Sequence, residues 1–117
     1  MTKATIYHNP RCSKSRNTMA ILEENNVDIN EVRYLDNPPT KQELAKLCSL
    51  MKVSPLDIIR TGEDLFQELG LSKATAKSDD EWLTVMIDNP KLIERPIVRI
   101  GDKVVIGRPP ENVLNIL

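Results

Sequence analysis

The N-terminal segment constrains the fold most, because it predicts a strand, a helix and a second strand in close succession. Ala4–Tyr7 is a short run of apolar and β-branched residues, which is typical of a strand. A helix is predicted to begin near Ser13 or Ser15 and to end at Glu24. Val32–Leu35 is predicted as the second strand. Strands joined by a helix form a right-handed parallel crossover, so this segment predicts the beginning of an α/β sheet.

The middle of the chain predicts helices rather than strands. Three helices are expected, beginning at Thr40, at Ser54-Pro55 and at Ser78. Thr40 and Ser78 each stand three residues before a glutamate, which is the spacing of a capping box. We therefore interpret residues 40–90 as a helical block inserted into the α/β unit.

The C-terminal part predicts a hairpin followed by a helix. Pro96–Ile100 and Lys103–Ile106 flank Gly101-Asp102, a turn signal between two β-branched runs. Pro109-Pro110 then introduces a short helix that reaches Leu117. The element order is βαβ, helical block, ββα. It predicts one domain over residues 1–117, with a central mixed sheet built from about residues 1–39 and 91–117.

Cys12 is the strongest candidate for a reactive group. It stands where the first strand gives way to a helix, and the N–H groups and dipole at a helix N-terminus favour an anion. Arg11, Lys14 and Arg16 surround it, and no carboxylate precedes Glu23. Such surroundings lower a thiol pKa below about 8.5 and supply a nucleophilic thiolate at neutral pH. The same donors would hold an oxyanion substrate.

Other candidate residues have two interpretations each. His8 is either a structural histidine or an imidazolium that stabilises the thiolate. Ser15 occupies the position of the second cysteine in a Cys-x-x-Cys motif, so a dithiol switch within this motif is excluded, and a helix cap or a thiolate donor is expected instead. Arg16 either pairs with a bound anion or is a solvated charge. Cys48, at helical spacing among leucines and Met51, is predicted to be a core residue.

Composition excludes several classes of function. The net charge is −1, and the chain has one Trp, one Phe and two Tyr, so nucleic acid is not an expected partner. One histidine and two cysteines support neither a metal site nor a disulfide framework. The N-terminus has no signal-peptide pattern and no apolar run is long enough to cross a membrane. We expect a cytoplasmic monomer without a tightly bound cofactor.

Four separated motifs carry a resemblance to a known family. They are His8-Asn9-Pro10-x-Cys12-x-x-Ser15-Arg16-Asn17-Thr18, Tyr34-Leu35-x-Asn37-Pro38-Pro39, Arg95-Pro96-Ile97-Val98 and Gly107-Arg108-Pro109. In this order they resemble the glutaredoxin-coupled arsenate reductase (ArsC) family over essentially the whole chain. The element order likewise resembles the thioredoxin/glutaredoxin-like fold.

The resemblance implies reduction of arsenate to arsenite, with glutathione as co-substrate and glutaredoxin as the partner protein. It assigns the nucleophile to Cys12 and oxyanion binding to Arg60, Arg95 and Arg108. It also implies a cis Arg95–Pro96 bond that aims Arg95 at the cysteine. One departure concerns length, because the chain stops at Leu117, whereas well-characterised members carry a longer C-terminal tail.

Three alternatives keep parts of this interpretation. One is a glutathione-linked thiol reductase of another substrate, and one is a non-catalytic oxyanion-binding protein. The third is a redox regulator that binds RNA polymerase, like the Spx proteins, which resemble this sequence. Those regulators typically carry Cys-x-x-Cys, so Ser15 argues against the third alternative.

Overall fold

A computed structural model describes residues 2–117 of the chain. The chain divides into two compact units. One unit contains the chain up to Asn37 together with Arg95–Leu117, and the other contains Pro38–Glu94. No helix among the described residues is long and apolar enough to cross a membrane.

The first unit is built on a four-stranded mixed sheet. Its strands are β1 (Lys3–Tyr7), β2 (Asp28–Val32), β3 (Ile97–Ile100) and β4 (Lys103–Ile106), in the spatial order β2-β1-β3-β4. β1 pairs with β2 in parallel, whereas β3 is antiparallel to both β1 and β4. The predicted α/β class, crossover and hairpin are therefore confirmed.

Helices of the first unit pack on this sheet. α1 (Ser13–Glu24) connects β1 to β2, and a 3₁₀ helix, Pro110–Ile116, closes the chain. The core shared by the sheet and these two helices consists of Ala4, Ile6, Leu22, Val98, Val113 and Ile116. Ala4, Ile6 and Tyr7 of β1 are buried, as expected for a central strand, and the Cys12 loop follows this strand directly.

The second strand lies earlier than the sequence predicted. β2 covers Asp28–Val32, whereas Val32–Leu35 was expected. β2 is an edge strand, so one side of it meets solvent and tolerates polar residues, and its sequence therefore lacks the apolar run that predicts a strand. The apolar Tyr34 is buried instead in the turn that follows, where the N–H of Asp36 donates to the carbonyl of Arg33 at 3.0 Å.

The second unit is helical. It contains α2 (Lys41–Met51), α3 (Asp64–Glu68) and α4 (Asp79–Asp88), with 3₁₀ turns at Pro55–Ile58 and Pro90–Leu92. The side chain of Thr40 caps α2, and Ser78 and Glu81 form the predicted capping box of α4. The helix predicted to begin at Ser54-Pro55 is the short 3₁₀ turn that ends at Ile58. α3 was not predicted, because five residues are too few to establish a helical period.

Candidate active site

The loop between β1 and α1 fixes the position of Cys12. The N–H of His8 still donates to Val32 of the neighbouring strand at 2.8 Å, so the sheet extends to the start of the loop. Asn9 then makes a tight turn, because its carbonyl accepts from the N–H of Cys12 at 3.0 Å and its side-chain oxygen accepts from the N–H of Arg11 at 3.0 Å. Cys12 is the N-cap residue of α1 and is partly exposed.

Four influences act on the thiol of Cys12. Burial raises its pKa, but the N–H of Ser15, the guanidinium of Arg95 and the N–H of Lys14 together outweigh burial, and the net pKa is lowered. The Cys12 side chain makes no N-cap hydrogen bond of standard geometry. The N–H groups of Ser15 and Lys14 nevertheless lie close enough to the sulfur to favour the thiolate. Cys12 is therefore poised to act as a thiolate.

The cation that lowers this pKa is Arg95, from the opposite end of the chain, rather than one of the sequence neighbours of Cys12. Arg11, Lys14 and Arg16 are exposed, where solvent screens their charges. Arg16 donates from Nη1 to the carbonyl of Pro10 at 3.0 Å, so its guanidinium closes the loop. Lys14 contributes through its backbone N–H rather than its ammonium group.

Arg95 and Arg108 stand beside each other at the ends of the hairpin. Both precede a proline through a cis peptide bond, and the bond expected at Arg95–Pro96 is thus confirmed. Nη1 of Arg108 donates to the carbonyl of Arg95 at 3.3 Å, and both residues are half-buried. The guanidinium of Arg95 therefore acts on Cys12 directly, and the guanidinium of Arg108 contacts the backbone of Arg95.

Gly107 packs closely against the helix that carries Cys12. A methyl group at Gly107 would lie 2.5 Å from Oγ1 of Thr18 and 2.8 Å from Cγ of Pro96. The N–H of Gly107 donates to the carbonyl of Pro96 at 2.9 Å, and Thr18 donates to the carbonyl of Lys14 at 2.8 Å. The absence of a side chain at Gly107 lets the Arg108 segment approach both Pro96 and α1.

His8 and Ser15 form a buried pair beneath the loop. Their Nδ1 and Oγ atoms are 2.7 Å apart, and Oγ also accepts from the N–H of Asn9 at 3.0 Å. Burial lowers the pKa of His8; Glu31 opposes this, and Arg33 and Arg16 add to it. The neutral ring therefore dominates at pH 7, and the tautomer of that ring sets which of Nδ1 and the Ser15 hydroxyl donates in the bond between them. Ser15 faces the sulfur through its N–H, while its hydroxyl holds His8.

Arg60 lies in the helical unit and is paired with two carboxylates. Its Nε contacts Glu63 at 3.0 Å and its Nη1 contacts Glu94 at 3.0 Å. Glu63 follows Arg60 by three residues, a spacing from which this pair could have been predicted. Glu94 stands much further along the chain, and the sequence carried no signal for it.

Cys48 lies in the core of the helical unit, as its spacing predicted. Its side chain is buried, and burial together with Asp79 and Asp57 raises its pKa to about 11. The thiol therefore stays protonated at neutral pH. Among residues 2–117 no group of three or more His, Cys, Asp or Glu side chains is arranged to hold a metal ion.

Comparison with known proteins shows the family and the fold of the chain. The sequence profile of the ArsC family matches residues 7–116. YfgD of Escherichia coli K12 is 46% identical over 119 aligned residues, which cover 100% of this chain and 99% of YfgD. An arsenate reductase of Neisseria meningitidis serogroup B is 40% identical, with 100% of both chains covered. The solved structure of an arsenate reductase from Vibrio cholerae is 41% identical with a TM-score of 0.93, covering 99% of this chain and 98% of that one.

The fold shared with these structures is thioredoxin-like, with a mixed sheet and an active cysteine candidate at the start of the first helix. The family profile covers nearly the whole chain, and relatives of matching length align from end to end. This protein therefore belongs to the ArsC family.

Proposed function

We propose that the protein is an arsenate reductase in which Cys12 is the nucleophile and glutathione and glutaredoxin supply the electrons. The observation that carries the proposal is the guanidinium of Arg95 beside the Cys12 thiol, whose pKa is lowered. One group can thus favour the thiolate before the substrate arrives and hold an oxyanion afterwards. The relatives described as arsenate reductases support arsenate as that oxyanion.

Substrate binding relies on guanidinium groups. Arsenate is a tetrahedral anion at neutral pH, and planar guanidinium forks bind such oxyanions through paired N–H donors. Arg95 and Arg108 are the donors that the first unit provides, and Arg60 is the third proposed ligand. Because Arg60 already pairs with Glu63 and Glu94, its contribution requires a donor other than Nε and Nη1.

The first two steps join two sulfur atoms to arsenic. The Cys12 thiolate attacks arsenic, an As–S bond forms, and one As–O bond breaks as hydroxide leaves and is protonated to water. The thiolate of glutathione then attacks the same arsenic, and a second hydroxide leaves. Arsenic remains arsenic(V) throughout, and the guanidinium groups stabilise the charge that moves onto its oxygens.

Reduction follows in the third step. A glutaredoxin thiolate attacks the glutathione sulfur, an S–S bond forms, and the As–S bond breaks with its electron pair remaining on arsenic, which becomes arsenic(III). Water then displaces Cys12 from arsenic, which releases arsenite and restores the thiol. Both electrons come from thiols, so we propose that no tightly bound cofactor is needed.

The decisive experiment measures arsenite formed from arsenate with glutathione and glutaredoxin. We expect turnover that requires both reductants and disappears in Cys12→Ser. Cys48→Ser is the matched control, because Cys48 is buried in the helical unit, and we expect it to retain turnover. A folded wild-type protein that forms no arsenite with any glutaredoxin would contradict the proposal.

A further inference from the structure

A cavity of about 270 Å³ lies beside the Cys12 loop, within the first unit. One wall is loop residues 8–11, and the other is formed by Arg33, Leu35 and Asp36. The second wall is a fixed turn, because the N–H groups of Asp36 and Asn37 both donate to the carbonyl of Arg33, at 3.0 and 2.9 Å. The oxyanion site described above uses neither Arg33, Leu35 nor Asp36.

The charges around this cavity have a definite pattern. Two arginines, Arg11 and Arg33, and one aspartate, Asp36, are among its lining residues, together with Leu35, whose side chain is exposed. Arg33 pairs with Glu31 through Nε at 2.6 Å, so its terminal nitrogens can still donate to a carboxylate of a ligand. The cavity thus presents two sites for anions and one for a cation.

We propose that this cavity binds the peptide thiol co-substrate, a tripeptide with two carboxylates and one ammonium group, as in glutathione. The ligand's charges are the complement of the cavity's: its carboxylates meet Arg11 and Arg33, and its ammonium group meets Asp36. The inference rests on the proposed function, because only a thiol-dependent reaction needs such a ligand beside Cys12.

Position supports the same ligand. Arg11 directly precedes Cys12, so their Cα atoms are about 3.8 Å apart and the cavity adjoins the residue that would carry arsenic. Sites for small ligands begin at about 300 Å³, and this cavity lies near that lower end. Its volume therefore fits a small peptide that stays partly exposed. From there its thiol loses a proton and attacks arsenic, an As–S bond forms, and hydroxide leaves without any change in oxidation state.

Binding is tested without chemistry by using S-methylglutathione and the Cys12→Ser protein. We expect amide NMR shifts on titration to concentrate in residues 8–11 and 33–37. Arg33→Ala and Asp36→Ala should each weaken binding about two- to fivefold, as expected for exposed charge pairs. Lys103→Ala and Asp102→Ala remove exposed charges from the hairpin of the same unit and should leave binding unchanged.

A modified ligand tests the charge assignment. The glycine ethyl ester of S-methylglutathione lacks one carboxylate and should bind less tightly to the parent protein. If Arg33 or Arg11 holds that carboxylate, the ester should lose no further affinity when the corresponding residue is replaced by alanine. If esterification weakened binding by the same factor in the parent protein and in both arginine variants, the assignment would be overturned.

Kinetics separate this inference from the proposed function. The kinetic assay uses glutaredoxin and the protein with Cys12 intact. In this assay Arg33→Ala should raise the KM for glutathione about two- to fivefold and leave the KM for arsenate unchanged. Arsenite formation with no NMR shifts in the cavity, or with shifts elsewhere, would overturn the inference while the proposed function stood. S-methylglutathione bound in the cavity of a protein that forms no arsenite would support the binding site and contradict the reductase activity.

Discussion

The guanidinium of Arg95 lies within hydrogen-bonding reach of the thiol of Cys12, although the two residues belong to opposite ends of the chain. The sheet brings them together: Cys12 follows β1, Arg95 precedes β3, and β1 and β3 are neighbours, with Tyr7 opposite Ile97. The pKa of the thiol thus depends on a tertiary contact rather than on its neighbours in sequence.

Replacing Arg95 should therefore make Cys12 less reactive near neutral pH. In Arg95→Ala the thiol loses a hydrogen bond and a positive charge, both of which lower its pKa, so less thiolate is present at pH 7. The measurement is the rate of iodoacetamide alkylation of Cys12 against pH, whose midpoint should move upward. Arg99→Ala, within the β3 strand that follows Arg95, is the matched control and should leave the profile in place. Coincident profiles for Arg95→Ala and wild type would contradict this account.

Part of this site could be predicted from sequence, and the limit is physical. The strand-to-helix junction at Cys12 is a local pattern, and the apolar run before it and the helix after it sufficed to indicate Cys12 as the candidate nucleophile. The effect on its pKa was expected from Arg11, Lys14 and Arg16, since only chain neighbours are visible in a sequence. Solvent screens those exposed charges, whereas the half-buried Arg95 acts at short range. Only the family resemblance implied that Arg95 points toward Cys12.

The fold had a similar limit. Hairpin and capping signals are local, so β3, β4 and the caps of α2 and α4 were placed well. β2 was misplaced because an edge strand lacks the continuous apolar run of a central one. The pairing of Arg60 with Glu94 depends on tertiary structure, and no local pattern indicates it.

The buried pair of His8 and Ser15 predicts a pH dependence of stability. Burial holds the folded-state pKa of His8 below its ordinary value of 6.5. Between the two pKa values the unfolded chain binds more protons, so the free energy of unfolding should fall as pH decreases below about 6.5. Because His8 is the chain's one histidine, its ring NMR signals can be followed without assignment. Urea unfolding from pH 7.5 to 5 measures the slope.

His8→Asn removes the titrating group, and its stability should change less over the same pH range. Ser15→Ala should cost about 1–3 kcal/mol, because it leaves the N–H of Asn9 and Nδ1 of His8 without their hydroxyl partner. Ser13→Ala is the control, since Ser13 is exposed at the start of the same helix. A histidine that titrates at or above 6.5 would show that burial does not govern its pKa.

Gly107 should tolerate no side chain. In Gly107→Ala the new methyl group meets Thr18 and Pro96 at 2.5 and 2.8 Å, and relieving such overpacking costs about 1–3 kcal/mol. Displacement of the adjacent Arg108 should also raise the KM for arsenate. Thr18→Ala in the same protein removes one of the two contacts and should restore part of the stability.

Gly62→Ala is the matched control for that substitution, because a methyl group there meets nothing within 4 Å. Its effect on the free energy of unfolding should stay within about 0.5 kcal/mol. Denaturant unfolding measures the change in stability, and arsenate kinetics measure the change in KM, for both alanine variants. Equal stability of the two alanine variants would contradict the close approach of Gly107 to α1.

Arg60 should contribute more to stability than to substrate binding. Its side chain is 20% exposed and bridges Glu63 and Glu94, so Arg60→Ala leaves two partly buried carboxylates without this partner and should cost about 1–3 kcal/mol. Arg60→Lys keeps the charge but lacks the planar fork that reaches both carboxylates, and should recover only part of that loss. The KM for arsenate should rise less in Arg60→Ala than in Arg108→Ala, because two donors of Arg60 are already engaged. Urea unfolding and arsenate kinetics on these three variants decide the question. If Arg60→Ala left stability unchanged and raised the KM for arsenate more than Arg108→Ala does, the oxyanion, and not the carboxylate pair, would be the principal partner of Arg60.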